Sequence, residues 1–498
     1  MRSVPRRSLL AGLLIAPLLT SCFAGSNDSS SSDGAGGDRL KVALAFPPAE
    51  GFSPYGADAT LLSRLGVTEG LTKLDANGAA APALADSWQR KGERGWLFTL
   101  REAEFQDGGK VTPAAVAAAL KRAGEAQPVT AALSGVSLQA KPAGDRQVLI
   151  TTEDPDPALP LRLSSPGLAI LSGKAYAKGG KVSPVGTATG PFELTKTTGA
   201  TAATLDRFDD YWGGRAQAAG IDARFIADGA ARTNALRTDE VDIAEAIPVS
   251  QASSLDKGGR KETATARTTG LQLNTEKGAF KDPGLRAAAR EAVDTSALAK
   301  DVYEGHADPG QGIFGPALTW AADKRVKPEG RAKAADPDGA AITIGTYDNR
   351  PELPEVAQVL KGQLEKAGFK VKIEVRESSR IEPDALDGKF DAFVGARNTM
   401  LDTGDAVSVL ASDYSCKGSY NLSLLCDDKA DAAVKKAENT ADTAKRQDAT
   451  MAAEAAILRT DAVVPLVHQR IITGVGPDVR GELLDPYERT LVGTGTRR

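Results

Sequence analysis

His306 and His468 are the only histidines in a chain of 498 residues, and Cys22, Cys416 and Cys426 are the only cysteines. So few imidazole and thiolate ligands exclude most zinc enzymes on ligand count alone. Neither G-x-S-x-G nor H-E-x-x-H occurs, and no glycine-rich loop is built to cradle a phosphate. An exported hydrolase is therefore disfavoured, and no cofactor or resident metal is expected. His468, in Pro465-Leu466-Val467-His468, is a lone imidazole that suits a satisfied structural position better than a metal. His306 follows Gly305 in an expected loop and carries no assigned role.

The cysteines point to export. Arg2, Arg6 and Arg7 precede an uncharged stretch, Ser8 to Leu19, too short to span a bilayer comfortably. Leu19-Thr20-Ser21-Cys22 resembles a bacterial lipobox, which predicts a signal peptide over 1–21 and acylation of Cys22. Arg6-Arg7 followed by Ser8-Leu9-Leu10 resembles a twin-arginine signal, the alternative being general secretion. Gly25 to Asp38 holds only small, polar and acidic residues and reads as a tether, so 22–38 is anchor plus linker. The folded part is expected just outside the cell membrane. In that oxidising setting Cys416 and Cys426, ten residues apart around a loop-like segment, are expected to form a disulfide.

With 41% hydrophobic and 25% charged residues, the chain has apolar material for two or more cores and is neither disordered nor polytopic. The net charge is −4, with no basic stripe, which argues against nucleic acid as a partner.

The elements that must position any site are α/β. Lys41 to Phe46, Gly95 to Ala103 and Arg146 to Thr152 read as strands. Thr112 and Pro113 are the N-cap and first residue of a helix. Ile221 to Ala227, Ala230 to Thr238 and Val241 to Glu245 read as a compact βαβ unit. Downstream, strand Ile342 to Tyr347, helix Leu353 to Ala367 with Gly368 as its C-cap, strand Phe369 to Val375, a short helix near Pro383 to Leu386 and strand Phe390 to Val394 form a second set. Strict alternation places Phe369, Val371, Ile373 and Val375 on one side of their strand. Asp282-Pro283 opens a helix between the sets. Two α/β cores in one chain imply two lobes.

Several strings, in order, resemble the family 5 solute-binding proteins of ABC importers, which include oligopeptide, dipeptide and nickel receptors. They are Glu50-Gly51-Phe52-Ser53-Pro54, Glu69-Gly70-Leu71, Ala81 to Trp88 (APALADSW), Phe98-Thr99-Leu100-Arg101, Phe105-Gln106-Asp107-Gly108, Gly186 to Phe192 (GTATGPF) and Tyr211-Trp212-Gly213. Asn274 and the helix through Arg286 and Asp294 extend the match. The family usually has His where Gln106 stands, read here as a surface-strand difference. The resemblance implies a type II periplasmic-binding-protein fold, two α/β lobes joined by a hinge with an extra subdomain inserted in lobe I. By analogy lobe I is 39–270 with the subdomain at about 61–181, lobe II is 271–469, and 470–498 returns to lobe I.

It also implies a ligand site. Dipeptide-binding members hold the ligand carboxylate with an Arg-Pro pair opening a lobe II helix, and Arg350-Pro351 stands in that place. They hold its ammonium with an aspartate in a later loop, matched by Asp402-Thr403-Gly404-Asp405, with Asp402 preferred and Asp405 the second candidate. Where the family often has Gly-Trp ahead of that loop, Gly395-Ala396-Arg397-Asn398-Thr399 stands, making Arg397 an alternative anion contact. The expectation is a monomeric, lipid-anchored receptor that hands a peptide or similar small zwitterion to a permease. A receptor for a nickel or other metal chelate, and a signalling receptor of the same fold, are the alternatives.

Overall fold

The computed structural model describes residues 38–127, 129–176 and 181–498. The expected signal peptide, Cys22 and nearly all of the linker lie outside the described residues. No helix among the described residues is long and apolar enough to cross a membrane.

Eleven strands share the largest sheet among the described residues. At one end Ala341–Tyr347 lies between Lys370–Arg376 and Ala392–Asn398, parallel to both. Toward the other end Arg39–Leu44 lies between Gly220–Phe225 and Ile243–Ala244, again parallel to both. The βαβ unit expected over 221–245 is therefore present, with the first strand of the domain inserted between its two strands. Each parallel set supports its own apolar core, one around Leu40, Val42, Phe192 and Ile221, the other around Ile344, Val356, Leu360 and Phe393. These are the two lobes.

Two long antiparallel strands, Arg260–Leu273 and Val463–Val475, connect them. Their register shifts between Ala264 and Thr268 and again between Thr269 and Gly270, irregularities that bend a strand pair as it passes from one lobe to the other. The expected lobe boundaries at 270/271 and 469/470 fall inside these two strands. A separate four-stranded antiparallel sheet, built from Ala85–Lys91, Gly95–Leu100, Gln147–Thr152 and Leu138–Pro142, packs with helix Pro113–Gly124 around Phe98, Leu120 and Ile150.

Local signals act as their chemistry requires. Thr112 Oγ1 accepts from the Ala115 N–H, and Asp282 Oδ1 from the Gly284 N–H at 2.7 Å. Gly368, past helix Glu352–Lys366, has φ +104°, a conformation that costs glycine little. Phe369 and Val371 are buried on the face where alternation places them, while Val375, on the same face, is 39% exposed because it lies near the end of the outermost strand of the sheet. One expectation fails. Gln106 is no surface-strand difference: its amide donates to Gly190 O at 3.1 Å and Phe192 O at 3.0 Å and accepts from Ala188 N–H at 3.3 Å, tying the subdomain to lobe I.

Candidate functional site

Between the lobes lies a chain of charges from distant parts of the sequence. Glu488 receives Arg267 on both carboxylate oxygens and the Asn398 side-chain N–H at 2.9 Å, while Arg64 bridges Glu488 and Glu245. Burial pushes the Glu488 carboxyl upward, but Arg267, Arg64 and Arg350 outweigh it and hold it down at about 2. The neighbouring Arg489 donates to Ser164 O at 2.9 Å and to Met400 O at 2.7 Å, so one side chain grips the subdomain and the lobe II loop together. Tyr487 donates to Ala76 O at 3.1 Å. Nothing in the local sequence around 485–490 signals this role. Its partners are set by the return of the chain to lobe I.

Arg350 stands just beyond strand Ala341–Tyr347, with Pro351 capping helix Glu352–Lys366. Its guanidinium makes no hydrogen bond to any described residue. The nearest carboxylate, Glu352, is 3.9 Å away, and the Phe46 ring centroid lies 6.0 Å from its central carbon. Its side chain is only 22% exposed. Burial and repulsion from Arg267 both lower its proton affinity, yet an arginine stays charged in proteins. A half-buried cation without a hydrogen-bonded anion is an unfavourable arrangement that an incoming carboxylate relieves. The N-terminus of the following helix adds a field of the same sign.

Asp402 lies in the lobe II loop between strand Ala392–Asn398 and helix Ala406–Tyr414. Arg397 Nη2 reaches Asp402 Oδ2 at 3.1 Å, and Arg397 Nε reaches Asp413 Oδ2 at 3.0 Å. Burial lowers the proton affinity of Arg397, but the two aspartates outweigh it and raise it well above the usual arginine value. Arg397, the alternative anion contact, therefore already holds two carboxylates. Asp402 Oδ1 has no hydrogen-bond partner among the described residues, and the side chain is 29% exposed.

Asp405 is placed differently from its neighbour. Its Oδ1 accepts from the Val407 N–H, capping helix Ala406–Tyr414, and its Oδ2 takes Arg446 Nη2 at 2.6 Å, with both side chains about a tenth exposed. Asp405, the second candidate for the ligand's ammonium, thus has both oxygens engaged inside lobe II. Cys416 and Cys426, just downstream, are joined as a disulfide.

His468 is a satisfied core residue. Its Nε2 accepts from the Gln311 N–H at 3.2 Å, so its proton is on Nδ1, which lies 2.9 Å from Thr268 Oγ1, and Thr268 in turn donates to Ile313 O. Burial holds it neutral, down at about 4. Among the described residues no three His, Cys, Asp or Glu side chains are grouped to hold a metal.

Beside Arg397, on the lobe II side, a cavity is walled by Tyr347, Tyr414 and Tyr420. In the sequence Tyr347 stands out only as the end of a strand, and nothing marks Tyr414 or Tyr420 as walls of a cavity.

A model of the bacterial extracellular solute-binding proteins, family 5 Middle, matches residues 79–421. The glutathione-binding protein GsiB of Escherichia coli K12 is 25% identical over 516 aligned positions, covering 97% of each chain. Among solved structures, NikA from Staphylococcus aureus in complex with Ni(L-His)2 superposes with a TM-score of 0.76 at 21% identity, over 92% of this chain and 99% of that one. DppA from Helicobacter pylori in complex with the peptide STSA superposes with a TM-score of 0.74 at 21% identity, over 91% and 97%. At these identities the two structures establish the shared two-lobed fold.

Proposed function

The chain belongs to the family 5 bacterial extracellular solute-binding proteins, and from that membership and the geometry of Arg350 we propose that it captures short peptides, or zwitterions of similar size, between its lobes. Proteins of this family bind solutes for ABC importers and are not enzymes. In this reading Cys22 is acylated, the protein works as a monomer at the outer face of the cell membrane, and the loaded form passes its ligand to the permease.

The observation that carries the reading is the guanidinium of Arg350, charged, mostly buried and without a hydrogen-bonded partner. It takes the ligand carboxylate in a bidentate pair. The unpaired Oδ1 of Asp402, steadied by the grip of Arg397 on Oδ2, takes the ammonium. Ligand contacts of this kind favour closure only by their differential affinity for the closed arrangement. The relatives agree in kind, one binding glutathione and one structural neighbour holding a peptide.

A second reading has one observation behind it, the likeness to a NikA that holds Ni(L-His)2. With no three-ligand metal cluster among the described residues, such a chelate is recognised through the carboxylates of its organic ligands, and Arg350 is again the contact.

Thermal shifts against di- to pentapeptides, single amino acids and nickel–histidine mixtures separate the two. A ligand at 100 times its Kd stabilises the protein by about 2.7 kcal/mol, a clear rise in Tm. Short peptides are expected to raise Tm, N-acetylated ones to fail, and Arg350→Ala to weaken binding about 30-fold or more, since truncation leaves the ligand carboxylate unpaired. A response confined to nickel–histidine moves the assignment to chelate uptake, and unchanged binding in Arg350→Ala overturns the site.

A further inference from the structure

The lobe II cavity beside Arg397 is made by two missing side chains. Gly270 and Gly395 are direct partners across the antiparallel strands Arg260–Leu273 and Ala392–Asn398, so a Cβ on either would project from the same face of the sheet. Both line the cavity. Neither has the positive φ that demands glycine. A Cβ on Gly270 would meet Val463 Cγ2 at 3.3 Å and the Gln272 amide nitrogen at 3.4 Å, and one on Gly395 would meet the Phe393 ring at 3.3 Å. What the glycines provide is space, and the enclosed room takes about two water molecules.

The polar groups around that space are almost all spent. Thr268 donates to Ile313 O, Thr399 to Ala266 O, and Tyr347 to Ala396 O, while Arg397 holds its two aspartates. Of the side chains lining the cavity, Gln272 alone has a fully buried polar atom left without a partner. The Gln272 amide nitrogen donates to the Tyr414 hydroxyl at 3.2 Å, which leaves Gln272 Oε1 without a donor and the Tyr414 proton without an acceptor. If the amide is turned over, the roles exchange, and the pair still offers one donor and one acceptor. A group that both gives and takes a hydrogen bond completes it in either orientation. A hydroxyl does so within the room available, and an aromatic ring neither fits nor satisfies it.

We propose that this glycine-floored cavity is a subsite for a short hydroxyl-bearing side chain, serine or threonine, of the bound peptide. The inference rests on the peptide reading of the Arg350 site, to which the cavity is joined through Tyr347 and Arg397. Selectivity arises because a methyl or isopropyl group there leaves the Gln272–Tyr414 pair incomplete in a buried place.

Isothermal titration of the purified protein with Ala-Ala, Ala-Ser, Ser-Ala, Ala-Thr, Ala-Val and Ala-Phe tests it. At one of the two positions serine is expected to bind at least tenfold more tightly than alanine, with valine and phenylalanine no better than alanine. In Tyr414→Phe, which keeps the ring packing, that advantage shrinks to about twofold or less, and Gln272→Leu serves as an independent check. Equal affinities across the series, a preference for phenylalanine, or a serine preference that persists in both variants overturns the subsite and leaves the peptide reading standing. Binding of nickel–histidine with no response to any dipeptide overturns the peptide reading and the subsite with it.

Discussion

Glu488 and Arg267, 221 residues apart, form a two-pronged ion pair at 3.0 and 2.9 Å, with side chains only 4% and 10% exposed. Arg64 and Asn398 complete the shell of the carboxylate. Replacing Glu488 by Ala leaves Arg267 in a sealed position with no counter-ion and removes one of the two partners of Arg64. Loss of one member of a buried pair costs about 3–5 kcal/mol. Urea unfolding of Glu488→Ala is expected to show that loss, and a change under 1 kcal/mol would contradict the arrangement.

Asp402 and Asp405, three residues apart, should separate cleanly. Asp405→Asn weakens a cap and a buried pair with Arg446, so it is expected to lower stability by about 1–3 kcal/mol while ligand affinity stays within about twofold. Asp402→Asn acts on a partly exposed carboxylate and is expected to leave stability within about 1 kcal/mol while weakening peptide binding about tenfold. The reverse pattern would exchange the two assignments.

Acid should find His468. Its folded-state value of about 4 lies below the ordinary 6.5, so between those values the unfolded chain binds more protons than the folded one. The stabilisation is therefore complete above about pH 6.5 and lost as pH falls toward 4, by about 3 kcal/mol in all. Glu488, held near 2, extends the same trend to lower pH. Unfolding free energies at pH 7 and pH 4.5 are expected to differ less in His468→Gln than in the wild type, and equal slopes would remove His468 as a cause.

The Cys416–Cys426 disulfide closes a short loop, with a sequence separation of 10. Constraint of the unfolded chain by a loop of that length is worth about 3 kcal/mol. The double variant Cys416→Ser, Cys426→Ser is expected to unfold at correspondingly lower urea, and reducing agent should have the same effect on the wild type alone.

Much of the frame was legible because its causes are local. Thr112 and Asp282 cap helices through N–H groups two or three residues on, and Gly368 ends one by adopting a left-handed φ. The alternation in Phe369 to Val375 gave the strand, but burial of its last apolar residue depended on what covers the end of an outermost strand, and nothing does so at Val375. Gln106 looked like a surface substitution because its three backbone partners at 188, 190 and 192 lie more than eighty residues away. In the loop 402–405, the residue types allowed either aspartate to face a ligand. Arg446, on a helix 41 residues downstream, engages Asp405, while Asp402 meets only Arg397 and keeps a free oxygen.

By itself, then, the sequence determined most of the α/β elements and the two-core division, set by short-range sterics and periodicity, while the disulfide followed from the exported setting and Arg350-Pro351 from the resemblance to family 5. The tertiary structure alone decided which charges are neutralised and which are left over. Arg64 meets Glu488 across 424 residues, Arg267 meets it across 221, and Arg350, beside both, meets no carboxylate closer than 3.9 Å. Coulomb pairing depends on distance in space and on the water excluded around it. Neither quantity exists until the two crossing strands bring the C-terminal segment back between the lobes.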